Sequence, residues 1–221
     1  FWDALLKEFP NLAILNCASG GRRIDLESIS RGQPLWRSDY NCFPEATAES
    51  TQDHGYGIQH WLPIQGSATR GWTILDTYDA RSALNPGMEN WIVAKTEPEW
   101  LQIKANVVQA KRCKKYFFGD YYPLTNQQRI PAAWSAYHLY LPAEKEGMIL
   151  ALRREKSDVS VMTFDLLTID PAKNWKFEDY DSGKTWVVSG KQIREEGFAI
   201  DIPNRRDSRL IFYSVDHGDK L

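Results

Sequence analysis

The sequence predicts an α/β region followed by an all-β region. Two features divide the chain that way: apolar runs alternating with helical stretches as far as about Lys115, and short alternating strands punctuated by turn residues beyond Ala132. Its 221 residues, 43% of them hydrophobic, can fill one large core or two modest ones. Lys plus Arg total 27 against 29 for Asp plus Glu, so there is no electrostatic footprint for nucleic acid or an acidic membrane, and a neutral partner is expected. Aromatics are plentiful at 13%, with nine Trp and ten Tyr. Flat rings pack on the C–H face of a sugar, although most such side chains in any protein serve the core.

The elements follow in order. Trp2, Leu5, Leu6 and Phe9 form a helical face ending at Pro10, and Asn11 to Cys17 (NLAILNC) reads as a buried strand. Residues 24–31 suit a short helix closed by Gly32, and Pro34 to Asp39 (PLWRSD) forms the next strand with a charge at its C-terminal end. Residues 45–58 suit a helix and His60 to Gln65 (HWLPIQ) a third strand, weakened by Pro63. Residues 66–97, rich in Gly, Thr and Asp, read as a long functional βα loop. A helix starts near Pro98, puts Trp100, Ile103, Val107 and Val108 on one face, and ends in Lys111, Arg112, Lys114 and Lys115, which suit its dipole. Tyr116 to Phe118 is read as the next strand, ending at Gly119-Asp120. Beyond it WSAYHLYL, GMILALRR, DVSVMTFDLL, WKFEDYD, TWVVSG, FAIDI and SRLIFYSV predict an antiparallel domain, with turns at Asp181-Ser182-Gly183 and Ser189-Gly190.

Cys17, Cys42 and Cys113 are widely spaced and odd in number, so neither a zinc site nor a disulfide framework is indicated. No apolar run approaches the ~20 residues needed to cross a bilayer. The chain opens on Phe1 rather than Met and is read as part of a longer polypeptide, which leaves its compartment open.

In a parallel βα architecture the reactive groups follow the strands. Three segments qualify: 16–25, 36–39 and 117–122. From the residues alone, Asp39 is open between a catalytic carboxyl, a helix N-cap and a salt-bridge partner. Gly20-Gly21 is open between a backbone approach to a ligand and a plain tight turn; the absence of GxxxxGK[ST] and GxGxxG spacing disfavours a nucleotide.

The run NCASGGRRIDLESISRGQPLWRSD (16–39) closely resembles the stretch joining two neighbouring barrel strands in glycoside hydrolase family 36, the α-galactosidases, where a Cys, a Ser/Gly-rich turn, R-x-D and a later W-x-S-D recur at this spacing. YFFGDYYPLT resembles the last barrel strand and WSAYHLYLPAEKEGMILALRR the entry into the C-terminal β domain. The resemblance implies a partial (β/α)8 barrel of the TIM type, its last strands, over residues 1–132 and an antiparallel β-sandwich over residues 133–221. It implies hydrolysis of a terminal α-linked galactose with Asp39 as general acid/base and with no metal or organic cofactor required. Cys17, Ser19 and Gly20 would contact the sugar, Arg23 and Asp25 would form an ion pair holding the turn, Trp36 would be wall or core, and Asp120 would line the site. Two departures are visible: Ser19 and Arg22 stand where many members have a longer glycine run, and Tyr40-Asn41-Cys42 follows the acid in place of a nearby second Asp. The family's nucleophile motif, K-x-D-x-N, does not occur in this chain. Retaining hydrolysis needs two carboxyls about 5–5.5 Å apart, so this sequence supplies one of them. The expected partner is an α-galactoside oligosaccharide, with a homo-oligomer allowed for the full-length protein. Two other readings stand beside this one: a transglycosidase of the raffinose or stachyose synthase type, and a non-catalytic carbohydrate-binding protein.

Overall fold

The computed structural model describes residues 1–43, 45–62, 64–68, 76–89, 93–126 and 129–218, with Glu89 described by its backbone alone. The chain divides into two compact units, Phe1–Lys114 and Lys115–Leu221.

The first unit begins with α1 (Trp2–Glu8). A short extended stretch follows, in which Gln33 N donates to Ile14 O and Asn16 N to Gln33 O, both at 2.9 Å, a parallel pairing of residues around Leu15 with those around Gln33. Between them lies α2 (Leu26–Ile29), whose N-cap Asp25 accepts from Ser28 N. The second extended stretch, from Pro34, is bonded in turn to β1 (Gly66–Ala68), since Gly66 N donates to Pro34 O at 3.2 Å and Arg37 N to Gly66 O at 3.0 Å. The crossover carries α3 (Ala48–Gln59), which starts at a capping box of Thr47 and Ser50. After β1 come α4 (Thr77–Ser82) and β2 (Gly87–Glu89), and β2 pairs parallel with β1 in the register Gly66↔Gly87. Four extended segments therefore lie side by side in chain order, with a helix in each of the three connections, as parallel strands require. The unit ends in α5 (Glu97–Cys113), opened by a capping box of Thr96 and Glu99.

The third strand is not His60 to Gln65: Gln59 closes α3, His60 is its C-cap, and Trp61 and Leu62 complete the turn, so pairing begins only at Gly66; Pro63 lies outside the described residues. The stretch 66–97 is not one long loop but contains β1, α4 and β2; residues 69–75 and 90–92 lie outside the described residues. Tyr116–Phe118 is not a strand either. It belongs to a 3-10 helix, Lys114–Phe118, that continues directly from α5, with Tyr116 and Phe117 buried as helical neighbours.

The second unit is antiparallel. Its strands are β3 (Asp120–Pro123), β4 (Trp134–Leu141), β5 (Glu146–Arg153), β6 (Val161–Phe164), β7 (Asn174–Asp179), β8 (Thr185–Ser189), β9 (Phe198–Asp201) and β10 (Asp207–Val215). Six of them form a sheet in the order β3-β4-β5-β10-β7-β8, and β6 pairs with β9 in a second. Because β3 pairs with β4 in the register Tyr122↔His138, Asp120 opens a strand of this antiparallel sheet and not the end of a parallel one. All seven strands predicted beyond Ala132 are present. One element was not foreseen: Ser189-Gly190 does not close a turn but opens α6 (Gly190–Glu196), with Ser189 as N-cap accepting from Gln192 N.

Burial explains the sequence pattern of this sheet. β5 is central and buried on both faces, hence the apolar run from Met148 to Leu152, whereas β7 alternates, turning Trp175 and Phe177 inward and Lys176 out. Trp134, Ala136, Ile149, Ile211 and Tyr213 on the large sheet pack with Phe164, Phe198 and Ile200 of the small one and with Ile193 of α6. The result is a two-layer core, stacked most closely where Phe177 meets Phe198, with ring centroids 4.5 Å apart.

Candidate active site in the first unit

Parallel pairing puts the C-terminal ends of neighbouring strands on one edge, and three such ends carry polar residues. The first leads through Cys17 into Ala18, Ser19 and Gly20. Ser19 and Gly20 adopt φ of 47° and 71°, so the chain turns sharply through the left-handed region. A Cβ on Gly20 would lie 2.6 Å from Asp39 N and 2.8 Å from Ser38 Cα, and one on Gly21 would lie 2.5 Å from Arg37 O. The glycine pair is thus required by backbone meeting backbone: its bare Cα atoms let the first turn lie directly on the 37–39 segment.

The second strand end carries Asp39, the first residue of a 3-10 turn, Asp39–Cys42, capped by Ser38 Oγ, which accepts from Tyr40 N. Asp39 is half-buried, and its Oδ1 accepts from Nε1 of the buried Trp36 at 2.8 Å. The third end, β1, receives the turn: Asn41, 0% exposed, donates through Nδ2 to Ser67 Oγ at 2.7 Å and to Ala68 O at 2.9 Å. The strand bearing Asp39 is anchored from the other side, where Nη1 of buried Arg37 donates to Gln65 Oε1 at 2.9 Å and Gln65 Nε2 donates to Gln59 Oε1 at the same distance.

The electrostatics are simple. Burial, and then the charge of Asp39, push the thiol of half-buried Cys42 upward, so the residue that stands near the acid is a neutral thiol and not a second anion. The Asp39 contribution marks the two groups as neighbours.

Of the residues singled out in the sequence, Gly20, Trp36 and Asp39 come together, with Ser19 and Cys17 exposed in the turn that abuts Asp39. Asp120 stands in the second unit, exposed, with Tyr122 Oη donating to its Oδ2 at 3.5 Å. Arg23 and Asp25 do not behave as expected: the Asp25 carboxylate caps α2, taking Ser28 N at 2.8 Å and Ser28 Oγ at 3.0 Å, which hold it below the usual carboxylate range. Arg23 contributes its carbonyl, which accepts from Asn16 Nδ2 at 2.7 Å. Asn41 and Ser67 are candidate-site residues that the sequence did not reveal, and the available signal was a polar residue two positions beyond Asp39 with a small, wholly buried strand, Gly66–Ala68, to receive it. Among the described residues no group of three His, Cys, Asp or Glu could hold a metal ion, and no helix is long and apolar enough to cross a membrane.

No protein-family model and no curated protein matches the sequence. Solved structures do match. An α-galactosidase of glycoside hydrolase family 36 from Geobacillus stearothermophilus, AgaA in a variant form with stachyose, superposes with a TM-score of 0.77 at 19% identity. A variant of the same enzyme with raffinose gives 0.76 at 17%, and the galactosidase domain of an α-galactosidase-sucrose kinase, AgaSK, gives 0.73 at 14%. Each match covers 97% of this chain and 30% of the other, so the chain has the fold of these α-galactosidase structures over about three-tenths of their length.

Proposed function

We propose that this chain carries the acid/base half of a retaining α-galactosidase site, as the C-terminal portion of a protein whose preceding barrel strands supply the nucleophile. The observation that carries the reading is the seating of Gly20 on the backbone of Asp39 while Trp36 holds the carboxyl, at adjacent C-terminal ends of parallel segments. The fold shared with the family 36 structures supports it, and the raffinose and stachyose bound in two of those point to galactose-ending oligosaccharides as the substrate class.

Asp39 protonates the leaving oxygen as a carboxylate nucleophile attacks the anomeric carbon, and then takes a proton from the water that releases the sugar. Its half-buried position suits both tasks, reaching solvent for the second step while one oxygen is fixed. Cys17 and Ser19, exposed in the turn beside it, are the groups proposed to meet sugar hydroxyls. Closure of the parallel segments into a barrel and the sandwich's role as its brace belong to the same proposal.

The test is Asp39→Asn in the protein that includes the preceding strands. Hydrolysis of raffinose should fall by roughly 10²–10⁴-fold, that of aryl α-galactosides with good leaving groups much less, and azide should restore part of the latter. Equal loss on both substrates with no azide rescue would count against Asp39 as acid/base.

A further inference from the structure

We infer that Trp36 divides the labour between the two oxygens of Asp39: Oδ1 is held as a hydrogen-bond acceptor and Oδ2 is the atom that carries the transferred proton. The inference rests on the acid/base reading above and goes beyond it to a positioning residue and to a single atom.

Trp36 and Asp39 are three residues apart, and the bond from Nε1 to Oδ1, 2.8 Å long, closes a loop within the strand end. Trp36 is 7% exposed, so little water can stand in for the acceptor if Oδ1 is withdrawn. An indole N–H only donates. In a protonated carboxyl the carbonyl oxygen is the better acceptor, so the proton and the indole favour different oxygens, and with the indole on Oδ1 the proton resides on Oδ2. Among the described residues nothing donates to Oδ2, which leaves it to meet the substrate. The carboxyl can turn about its χ2 only by breaking the indole bond, and the residue's backbone is pinned by Gly20 on one side and by Asn41 on β1 on the other. The donor is therefore aimed as well as assigned.

The step balances in each direction. In glycosylation the Oδ2–H bond breaks and its proton goes to the leaving oxygen, which keeps the electron pair of the broken glycosidic C–O bond while the carboxylate nucleophile bonds the anomeric carbon. In deglycosylation Oδ2 takes a proton from water, whose oxygen bonds the anomeric carbon as the nucleophile departs with its electron pair.

Trp36→Phe keeps the ring and deletes the N–H. In the protein with its preceding strands, kcat on raffinose should fall at least 10-fold more than kcat on an aryl galactoside with a good leaving group, because only the former needs an aimed proton. Across a series of aryl galactosides the rate should also become more sensitive to leaving-group acidity. A loss that is the same for all substrates, or no loss, overturns the inference, since a merely structural Trp36 would lower all rates together. Asp39→Asn run alongside separates the two readings: selective loss there with uniform loss in Trp36→Phe overturns this inference alone, whereas uniform loss in Asp39→Asn overturns the acid/base reading itself. If Trp36→Phe does not fold, the assigned indole N–H resonance of Trp36 decides the matter, being expected to shift in Asp39→Asn and overturning the inference if it stays put.

Discussion

The two units solve the problem of an interior in opposite ways. In the first, the buried side chains described are largely amides, hydroxyls and guanidiniums: Gln52 reaches Tyr78 and Ser82, Arg37 reaches Gln65, and Arg81, 2% exposed, reaches Gln109. Much of its buried apolar complement is alanine. In the second, Trp175, Phe177, Ile149, Ile211 and their neighbours form a continuous apolar layer between two sheets. Hydrogen bonds are directional but each nets only about 1 kcal/mol, whereas apolar burial is strong and indifferent to direction. The unit that carries the candidate carboxyl relies on the directional interaction, and the other unit on the strong one.

Removing the strong interaction should break this contrast most severely. Phe177, 0% exposed, stacks on Phe198 and Trp186, so Phe177→Ala should cost about 3–5 kcal/mol in denaturant unfolding. Hydrogen exchange should quicken throughout the second unit; a cost under about 1 kcal/mol would mean that the layer is not the source of its stability.

Among the polar groups that the second unit does bury, His138 sharpens the comparison. His138 is 0% exposed, Nδ1 lies 2.9 Å from Tyr213 Oη, Tyr122 stacks on the ring, and Nε2 has no partner among the described residues. Burial alone pulls its imidazole down to about 4. Between that value and the ordinary 6.5 the unfolded chain binds the proton and the folded chain does not, so stability rises with pH across this window and is lost on acidification from 6.5 to about 4. The loss should be on the order of 3 kcal/mol, and His138→Phe should flatten that limb of a stability-versus-pH curve. An unchanged slope in the variant would assign the acid sensitivity elsewhere.

The smallest effect tests the directional unit. Thr96→Ala removes the capping box at the start of α5 and should cost about 1 kcal/mol, with faster exchange confined to the first turn of that helix. Exchange that quickens across the whole first unit would instead make α5 a keystone of its fold.

Local patterns were legible in the sequence where one physical cause acts. The alternation in WKFEDYD announced a strand buried on one face, and the run MILAL a strand buried on both, because side-chain direction follows from the pleat alone. The basic end and Pro98 announced α5. Failures fell where two causes compete. KKYFF is as apolar as a strand, but it continues from a helix and its rings are buried as a 3-10 turn; HWLPIQ is apolar too, yet its first residues are used to end α3. The boundary drawn at Ala132 missed β3 for the same reason, since DYYP gains its identity only from β4 across the sheet.

The candidate site divides likewise. Asp39, Gly20 and Trp36 were picked out in one dimension, because a charge after an apolar run and a glycine pair are local signals and the motif spacing is a sequence property. Their mutual use was not. That Gly20 must lack a side chain because Asp39 N lies 2.6 Å from where its Cβ would be, and that Asn41 ties the turn to β1, are facts of contact between strands brought together by parallel pairing, while the bond from Trp36 Nε1 to Asp39 Oδ1 depends on how the strand end folds back on itself. The sequence by itself determined which residues can do chemistry and which segments prefer which backbone, since both depend on side-chain type and its immediate neighbours; only the tertiary structure decided which oxygen of Asp39 is held, because that depends on hydrogen bonds and burial that exist only once the segments pack.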